Sequence, residues 1–435
     1  MKLLIKGARV VDPSQKIDGV LDVLIEEGKI AKIVPNIDYA ADEVVDAAGL
    51  TLIPGLVDIH CHLRDPGLEY KEDIVSGTKA AARGGFTSVC CMANTKPVAD
   101  NPAVIAYIRD KAKNEGAVHV YPIGAASKGL EGKELAEIGE MKRAGAVAIS
   151  DDGKPIMNAG FMRLAMEYAA DFGLKVLDHC EDSGLVDGGV MNEGYVSTKL
   201  GLRGSVNVAE EIHVARDILL CEQYGLSAHI CHVSTKRSVE MVRLAKKRGI
   251  KITCETAPHY LAATDTWVAE KEYDTATRVN PPLRTKEDQE ELIKGLCDGT
   301  IDCIATDHAP HHQDEKMVEY DLAASGISGF ETAFQLCYQA LVCSGKMELN
   351  QLIRLMTVQP AQILNLPAGT LAVGAAADIA LVDLDCEQII RVDDFLSKGK
   401  NSPFDGMAVT GRVVHTLVDG EWVYRDGNIA PRFED

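Results

Sequence analysis

The sequence predicts a (β/α)8 TIM barrel carrying a small β-sandwich domain made from both chain ends. Three observations predict it. Both ends read as strand–turn–strand, the middle alternates short apolar runs with amphipathic stretches, and histidines and carboxylates gather where those runs end.

At the start, KLLIKGARVVD and VLDVLIEEGKIAKIV alternate polar and apolar residues, with EEGK and DAAG as turns. At the end, ADIALVDLD and AVTGRVVHTLVDGEWVYRDG repeat that pattern. Chain termini often lie close together, so 1–52 plus 368–435 are expected to form one composite β domain. Residues 53–367 are expected to form the barrel. Its eight apolar runs are Gly55–His60, Thr87–Met92, Val118–Ile123, Val147–Asp151, Lys175–His179, Ala228–His232, Lys251–Glu255 and Asp302–Thr306. Helical stretches separate them: Asp73–Gly84, Pro102–Glu115, Phe161–Phe172, Val208–Tyr224, Lys236–Arg248 and Lys286–Gly299. A doubly wound open sheet is the alternative arrangement of such units.

Composition narrows the function. With 435 residues, 46% hydrophobic and 25% charged, the chain can bury a sizeable core. A net charge of −20 argues against nucleic acid and against anionic membranes. An anionic substrate would need local positive charge, from a metal or a placed Arg. The twelve cysteines include no CxxC pair, and Cys90, Cys91, Cys180, Cys231 and Cys303 sit in apolar runs, so we expect reduced, buried thiols. The opening MKLLIKGARVVD has no long apolar region, and no run of 18 apolar residues occurs, so neither a signal peptide nor a membrane helix is expected and the cytoplasm follows.

In a (β/α)8 barrel the active site forms at the C-terminal strand ends. Here those ends carry Asp58-Ile-His60-Cys-His62, Asp151-Asp152-Gly153, His179-Cys-Glu181, His232 and Asp307-His308. Residues two apart on a strand face the same way, so His60 and His62 can reach one ion. His179, His232 and Asp307 add ligands from three further strands. Imidazoles and carboxylates without thiolate favour zinc, or a similar divalent ion, in an open catalytic site. His229, three residues before His232, faces the other way on its strand. With His119, His213, His259 and His415 it reads as structural.

The stretch Val57-Asp-Ile-His-Cys-His-Leu-Arg-Asp-Pro-Gly67 resembles the entry motif of the amidohydrolase superfamily, and its Arg64-Asp-Pro-Gly67 ending resembles dihydroorotases in particular. Met92-Ala-Asn-Thr95, Ser150-Asp-Asp-Gly153, Asp178-His-Cys-Glu-Asp182, His232-Val-Ser-Thr235, Cys254-Glu-Thr-Ala-Pro-His-Tyr260, Val279-Asn-Pro-Pro-Leu-Arg284 and Ala305-Thr-Asp-His-Ala-Pro-His311 continue the resemblance in order. It implies metal ligands at His60, His62, Asp152, His179, His232 and Asp307, holding one or two Zn2+ per chain. Many relatives bridge two metals with a carbamylated Lys. Lys154 does not match that position, and Asp152 is the implied bridge, as in long bacterial dihydroorotases.

The resemblance also implies substrate contacts at His62, Arg64, Asn94, Asn280, His311, Ser325 and Gly326, with Asp307 as the catalytic acid–base. Relatives place a bulkier residue where Ser325 stands; a backbone contact survives that change and a side-chain contact does not. The implied reaction is the reversible closure of N-carbamoyl-L-aspartate to L-dihydroorotate in pyrimidine biosynthesis. Rival readings are an allantoinase- or hydantoinase-like enzyme, which Arg64 and Asn94 argue against, and a non-catalytic subunit, which the full ligand set argues against. The implied partners are a second copy of the chain and, in some forms, aspartate transcarbamoylase. The polar, Gly-ended segment 311–326 reads either as a cover over the site or as a plain exposed loop.

Overall fold

The computed structural model describes residues 2–433. The chain opens with β1 (Lys2–Asp12), β2 (Ile17–Glu26), β3 (Lys29–Val34), β4 (Glu43–Asp46) and β5 (Thr51–Pro54). Ile25 and Glu26 of β2 pair with Ile30 and Lys29 of β3 across the turn Glu27-Gly28. Gly28 takes φ +76, and a Cβ there would meet the Asp419 carbonyl oxygen at 2.6 Å, so the EEGK turn needs its glycine.

A barrel follows. β6 (Leu56–Cys61), β7 (Phe86–Cys91) and β8 (His119–Pro122) pair in parallel. The fourth stave joins through single parallel bridges, Gly124 to Ile149 and Ile149 to Val176. β9 (Val176–Asp178) is followed by a short ladder of β10 (Met191–Asn192) with β11 (Gly204–Ser205) in the loop beyond it. β12 (Ala228–Ile230), β13 (Ile252–Thr256) and β14 (Cys303–Ile304) continue the parallel order from β9. A parallel bridge between Cys61 and His308 closes the ring. This is a closed barrel, not an open doubly wound sheet.

Helices lie between the staves where the sequence placed them: Ile74–Arg83, Pro102–Glu115, Ala159–Asp171, Val208–Tyr224, Lys236–Lys247 and Lys286–Cys297. Their starts follow from capping chemistry. Asp73, Asn101, Asn158, Thr235 and Thr285 each accept a backbone N–H of the first helical turn.

The closing strands are β15 (Ile379–Ile389), β16 (Ala408–Val418), β17 (Glu421–Arg425) and β18 (Asn428–Ile429). They join the opening strands in a nine-stranded sheet, ordered β18-β17-β16-β15-β5-β1-β2-β3, with β4 beside β1. The seam is β5 against β15, antiparallel from Thr51–Val382 to Pro54–Ile379. A core including Leu3, Ile5, Val10, Leu52, Ile379 and Leu381 fills this region. A separate cluster, including Val57, Cys90, Ile123, Leu177, Cys231 and Cys303, draws on the barrel staves.

Cys90, Cys91, Cys180, Cys231 and Cys303 are buried free thiols. Among the described residues, no helix is long and apolar enough to cross a membrane.

Candidate metal centre at the barrel mouth

The first stave brings its polar residues to one face. Asp58 is fully buried and accepts from Thr306 N at 2.9 Å and Thr306 Oγ1 at 2.5 Å, which locks β6 to the last stave. Burial pushes its carboxyl up to about 7, against the pull of the Thr306 hydrogen bonds. Two residues on, His60 sets Nδ1 2.6 Å from Glu255 Oε1, and Glu255 Oε2 lies 3.1 Å from His229 Nε2. A carboxylate only accepts, so His60 donates from Nδ1 and its Nε2 is a free lone pair. His62 follows the same logic, with Nδ1 at 3.0 Å from Asn94 Oδ1 and Nε2 facing inward.

Asp151 and Asp152 part company. Asp151 accepts from Ala126 N at 2.9 Å, Ser127 N at 3.0 Å and the Ser127 hydroxyl, so it fastens the loop above the third stave. Asp152 turns into the mouth. Its Oδ1 lies 3.4 Å from His60 Nε2, 3.4 Å from His232 Nε2 and 3.5 Å from His179 Nδ1, and its Oδ2 lies 3.4 Å from His62 Nε2. Asp307 Oδ1 sits 3.1 Å from His62 Nε2 and 3.6 Å from His60 Nε2. All six side chains are buried. His232 and Asp307 hold φ of 32° and 46°, left-handed values that non-glycine residues seldom keep, and such strain gathers at functional positions.

This arrangement fits a divalent cation. His60 Nε2 and Asp152 Oδ1 are buried with no hydrogen-bond partner, although buried polar atoms almost always have one. His60, His62 and Asp307 form one group of converging donors, and His60, Asp152 and His232 another, with Asp152 common to both sides of the cluster. Lone pairs this close, shielded from water, require positive charge between them.

Around the cluster lie the other residues singled out from sequence. Arg64 is buried at φ 62°, its Nε donating to Pro310 O at 3.2 Å and its Nη2 lying 3.4 Å from His311 Nε2. His311 Nε2 is 2.9 Å from Ser325 O, and burial with the nearby Arg64 charge presses His311 down to about 3. That hydrogen bond therefore runs from His311 Nε2–H to the Ser325 backbone, and the Ser325 side chain takes no part in it. Gly326 has φ +153, and a Cβ there would crowd Ala309 O at 2.5 Å. Asn280 donates from Nδ2 to Glu181 Oε2 at 2.7 Å. The structure thus brings every singled-out residue to one mouth.

Segment 311–326 contains a short helix, Gln313–Lys316, and is anchored, not free. Lys316 Nζ is buried among the carbonyl oxygens of Ala324, Gly326 and Arg278, at 2.7, 3.3 and 3.3 Å. Asn401, from the chain's closing portion, donates to Ala309 O and Gly326 O and accepts from His311 N.

Sequence reasoning gave no role to four of these residues: Glu255, Glu181, Lys316 and Asn401. Glu255 and Glu181 carried a signal, an ionisable residue at a strand end. Lys316 and Asn401 carried none.

Residues 49–238 match the model of the family described as Dihydro-orotase-like, and residues 327–424 match that of the Amidohydrolase family. A protein named Dihydroorotase from Acetivibrio thermocellus is 55% identical, covering 98% of this chain and 99% of its own. One of the same name from Ruminiclostridium cellulolyticum is 52% identical over 98% and 99%. Among solved structures, L-hydantoinase (dihydropyrimidinase) from Arthrobacter aurescens superposes with a TM-score of 0.89 at 26% identity, covering 98% of this chain and 97% of its own.

Proposed function

The chain belongs to the dihydroorotase family of amidohydrolases, and from that premise we propose that its barrel mouth interconverts N-carbamoyl-L-aspartate and L-dihydroorotate in pyrimidine biosynthesis. The observation that carries this over a hydantoinase-like reading is Arg64. Its guanidinium is buried beside the ligand cluster, and a forked cation there suits the ring carboxylate, which hydantoin lacks.

In this reading His60, His62, Asp152, His179, His232 and Asp307 would hold one or two zinc ions. When bound, zinc supplies a Lewis acid that polarises a carbonyl and brings the pKa of a water down to about 7. The chain's own groups do the rest. His62 and Asn94 line one wall, Arg64 and His311 hold the carboxylate, and the Ser325-Gly326 backbone with Asn280 meets the ring amides. During ring opening the attacking water gives its proton to the Asp307 carboxylate. The ring C–N bond breaks, and Asp307 returns the proton to the departing nitrogen. The product carboxyl group keeps the water oxygen and releases the water's second proton to solvent as it becomes a carboxylate. Closure runs the same steps backwards, with the ureido nitrogen attacking the carboxyl carbon and water leaving.

The buried free thiols support a reducing compartment, the cytoplasm. A homodimer, and association with aspartate transcarbamoylase, belong to the same reading; light scattering of the protein with and without that enzyme tests both.

Dihydroorotate ring opening by purified protein, before and after a chelator, tests the reaction. Turnover that vanishes with the chelator and returns with zinc is expected. Turnover indifferent to metal removal, or none with metal bound, overturns the proposal.

A further inference from the structure

Glu181 lies two residues beyond His179, and the reaction as described gives it no task. Its Oε2 sits 2.7 Å from Asn280 Nδ2 and 3.6 Å from His179 Nε2, beyond hydrogen-bond range. Among the described residues Asn280 is its close hydrogen-bond partner, and His179 stands farther off as an ionic neighbour. The two belong to different loops, beyond the fifth and the seventh staves. The backbone beside Asn280 is fixed as well, because buried Tyr260 donates its hydroxyl to Pro281 O at 2.6 Å.

An asparagine amide has two unlike ends of nearly the same shape, one donating and one accepting. Which end a ligand meets is decided by what holds the other. His179 Nε2, 3.4 Å from the Asn280 amide, can sit beside either end. A carboxylate cannot, because it only accepts. Placed 2.7 Å away, Glu181 requires the NH2 end and repels the carbonyl end. Among the described residues Oδ1 takes no hydrogen bond, and Asn280 is only partly buried.

We propose that Glu181 is a positioning residue that fixes the amide of Asn280 with its carbonyl oxygen toward the ligand, so that Asn280 reads a substrate N–H and not the substrate carboxylate. This rests on the reading of Asn280 as a substrate contact and assigns its polarity. It also divides the work at the mouth. The donor Arg64, with His311 beside it, takes the carboxylate, and the acceptor Asn280 takes the ring or ureido N–H, where it rejects an oxygen or an alkylated nitrogen.

Exchanging the polarity of the pair tests this. In N280D two carboxylates face each other, and kcat/KM should fall about ten- to a hundredfold, mostly through KM, the scale of a charged hydrogen bond lost. In the double variant E181Q/N280D the glutamine NH2 donates to one oxygen of the introduced carboxylate and leaves the other for the ligand. It should regain at least about tenfold over N280D, again through KM. A double variant no better than N280D overturns the proposal, since a ligand that needs the NH2 end finds only oxygen in both. Metal per chain, measured on the same preparations, should stay constant across wild type, E181Q, N280D and the pair. A rescue that follows recovered metal instead of KM also overturns it. If wild type opens no dihydroorotate, the substrate reading fails on its own. The same four proteins are then compared on dihydrouracil, which keeps the ring N–H groups without the carboxylate, and the rescue keeps its meaning.

Discussion

His60 gives its Nδ1–H to Glu255, 2.6 Å away, and so turns a bare Nε2 toward Asp152. A ligand's basicity and aim are set by such an outer partner. We expect Glu255→Gln to bind zinc roughly 10–100-fold more weakly in competition with a fluorescent chelator, with the protein still folded. Unchanged affinity would show that Glu255 only packs. Asp307 is poised differently. Its Oδ1 lies 3.1 Å from His62 Nε2 and 3.6 Å from His60 Nε2, buried within the cluster where the water proton would be received. Asp307→Asn should cost about 10²–10⁴-fold in turnover while zinc stays bound, because acid–base catalysis is worth that much. Near-full turnover would remove the proton-carrying role. The inner residues were legible in sequence because period-two spacing and strand-end placement are local signals. Glu255 and Glu181 were not singled out, because their meaning lies in partners 195 and 99 residues away.

The staves show where local reading suffices and where it stops. Seven of the eight apolar runs contain strand residues, and helices such as Pro102–Glu115 and Val208–Tyr224 keep the boundaries their apolar periodicity and caps set. The fourth run, Val147–Asp151, reads as a strand but makes only single bridges at Ile149. Asp151 leaves the ladder to bind Ala126 and Ser127, and Asp152 turns inward. That competition between a ladder and side-chain capping is invisible to periodicity. His259, in the short helix Pro258–Ala262 after β13, yields a pH prediction. Burial presses it down to about 4, from an ordinary value near 6.5. Below pH 6.5 the unfolded chain takes up a proton that the folded chain refuses, so this group removes stability as pH falls from 6.5 toward 4. Between pH 7 and pH 5 its share is about 2 kcal/mol, and His259→Gln should flatten urea-unfolding stability over that window by a comparable amount. An equally steep profile in the variant would contradict the assignment.

Across the molecule, one barrel gathers candidate metal-binding side chains from five staves, while strands from both chain ends share a single sheet. Without a cation, His60 Nε2 and Asp152 Oδ1 stay buried with no hydrogen-bond partner among the described residues. Metal removal should therefore lower the melting temperature by several degrees, and zinc should restore it, since a ligand bound only by the folded state stabilises that state. Identical melting with and without metal would speak against a load shared among staves. The net charge of −20 poses a second problem for the whole chain, because it repels the anionic substrate assigned to it. In the proposed reading the bound metal and Arg64 overcome that repulsion locally, and a metal alone would serve a neutral ring as well. The most direct measurement is the ratio of kcat/KM for dihydroorotate to that for dihydrouracil, in wild type and in Arg64→Met. We predict a ratio far above one in wild type, collapsing by about tenfold or more in Arg64→Met through loss of dihydroorotate turnover. A wild-type ratio near one, or a ratio untouched by the substitution, would contradict it.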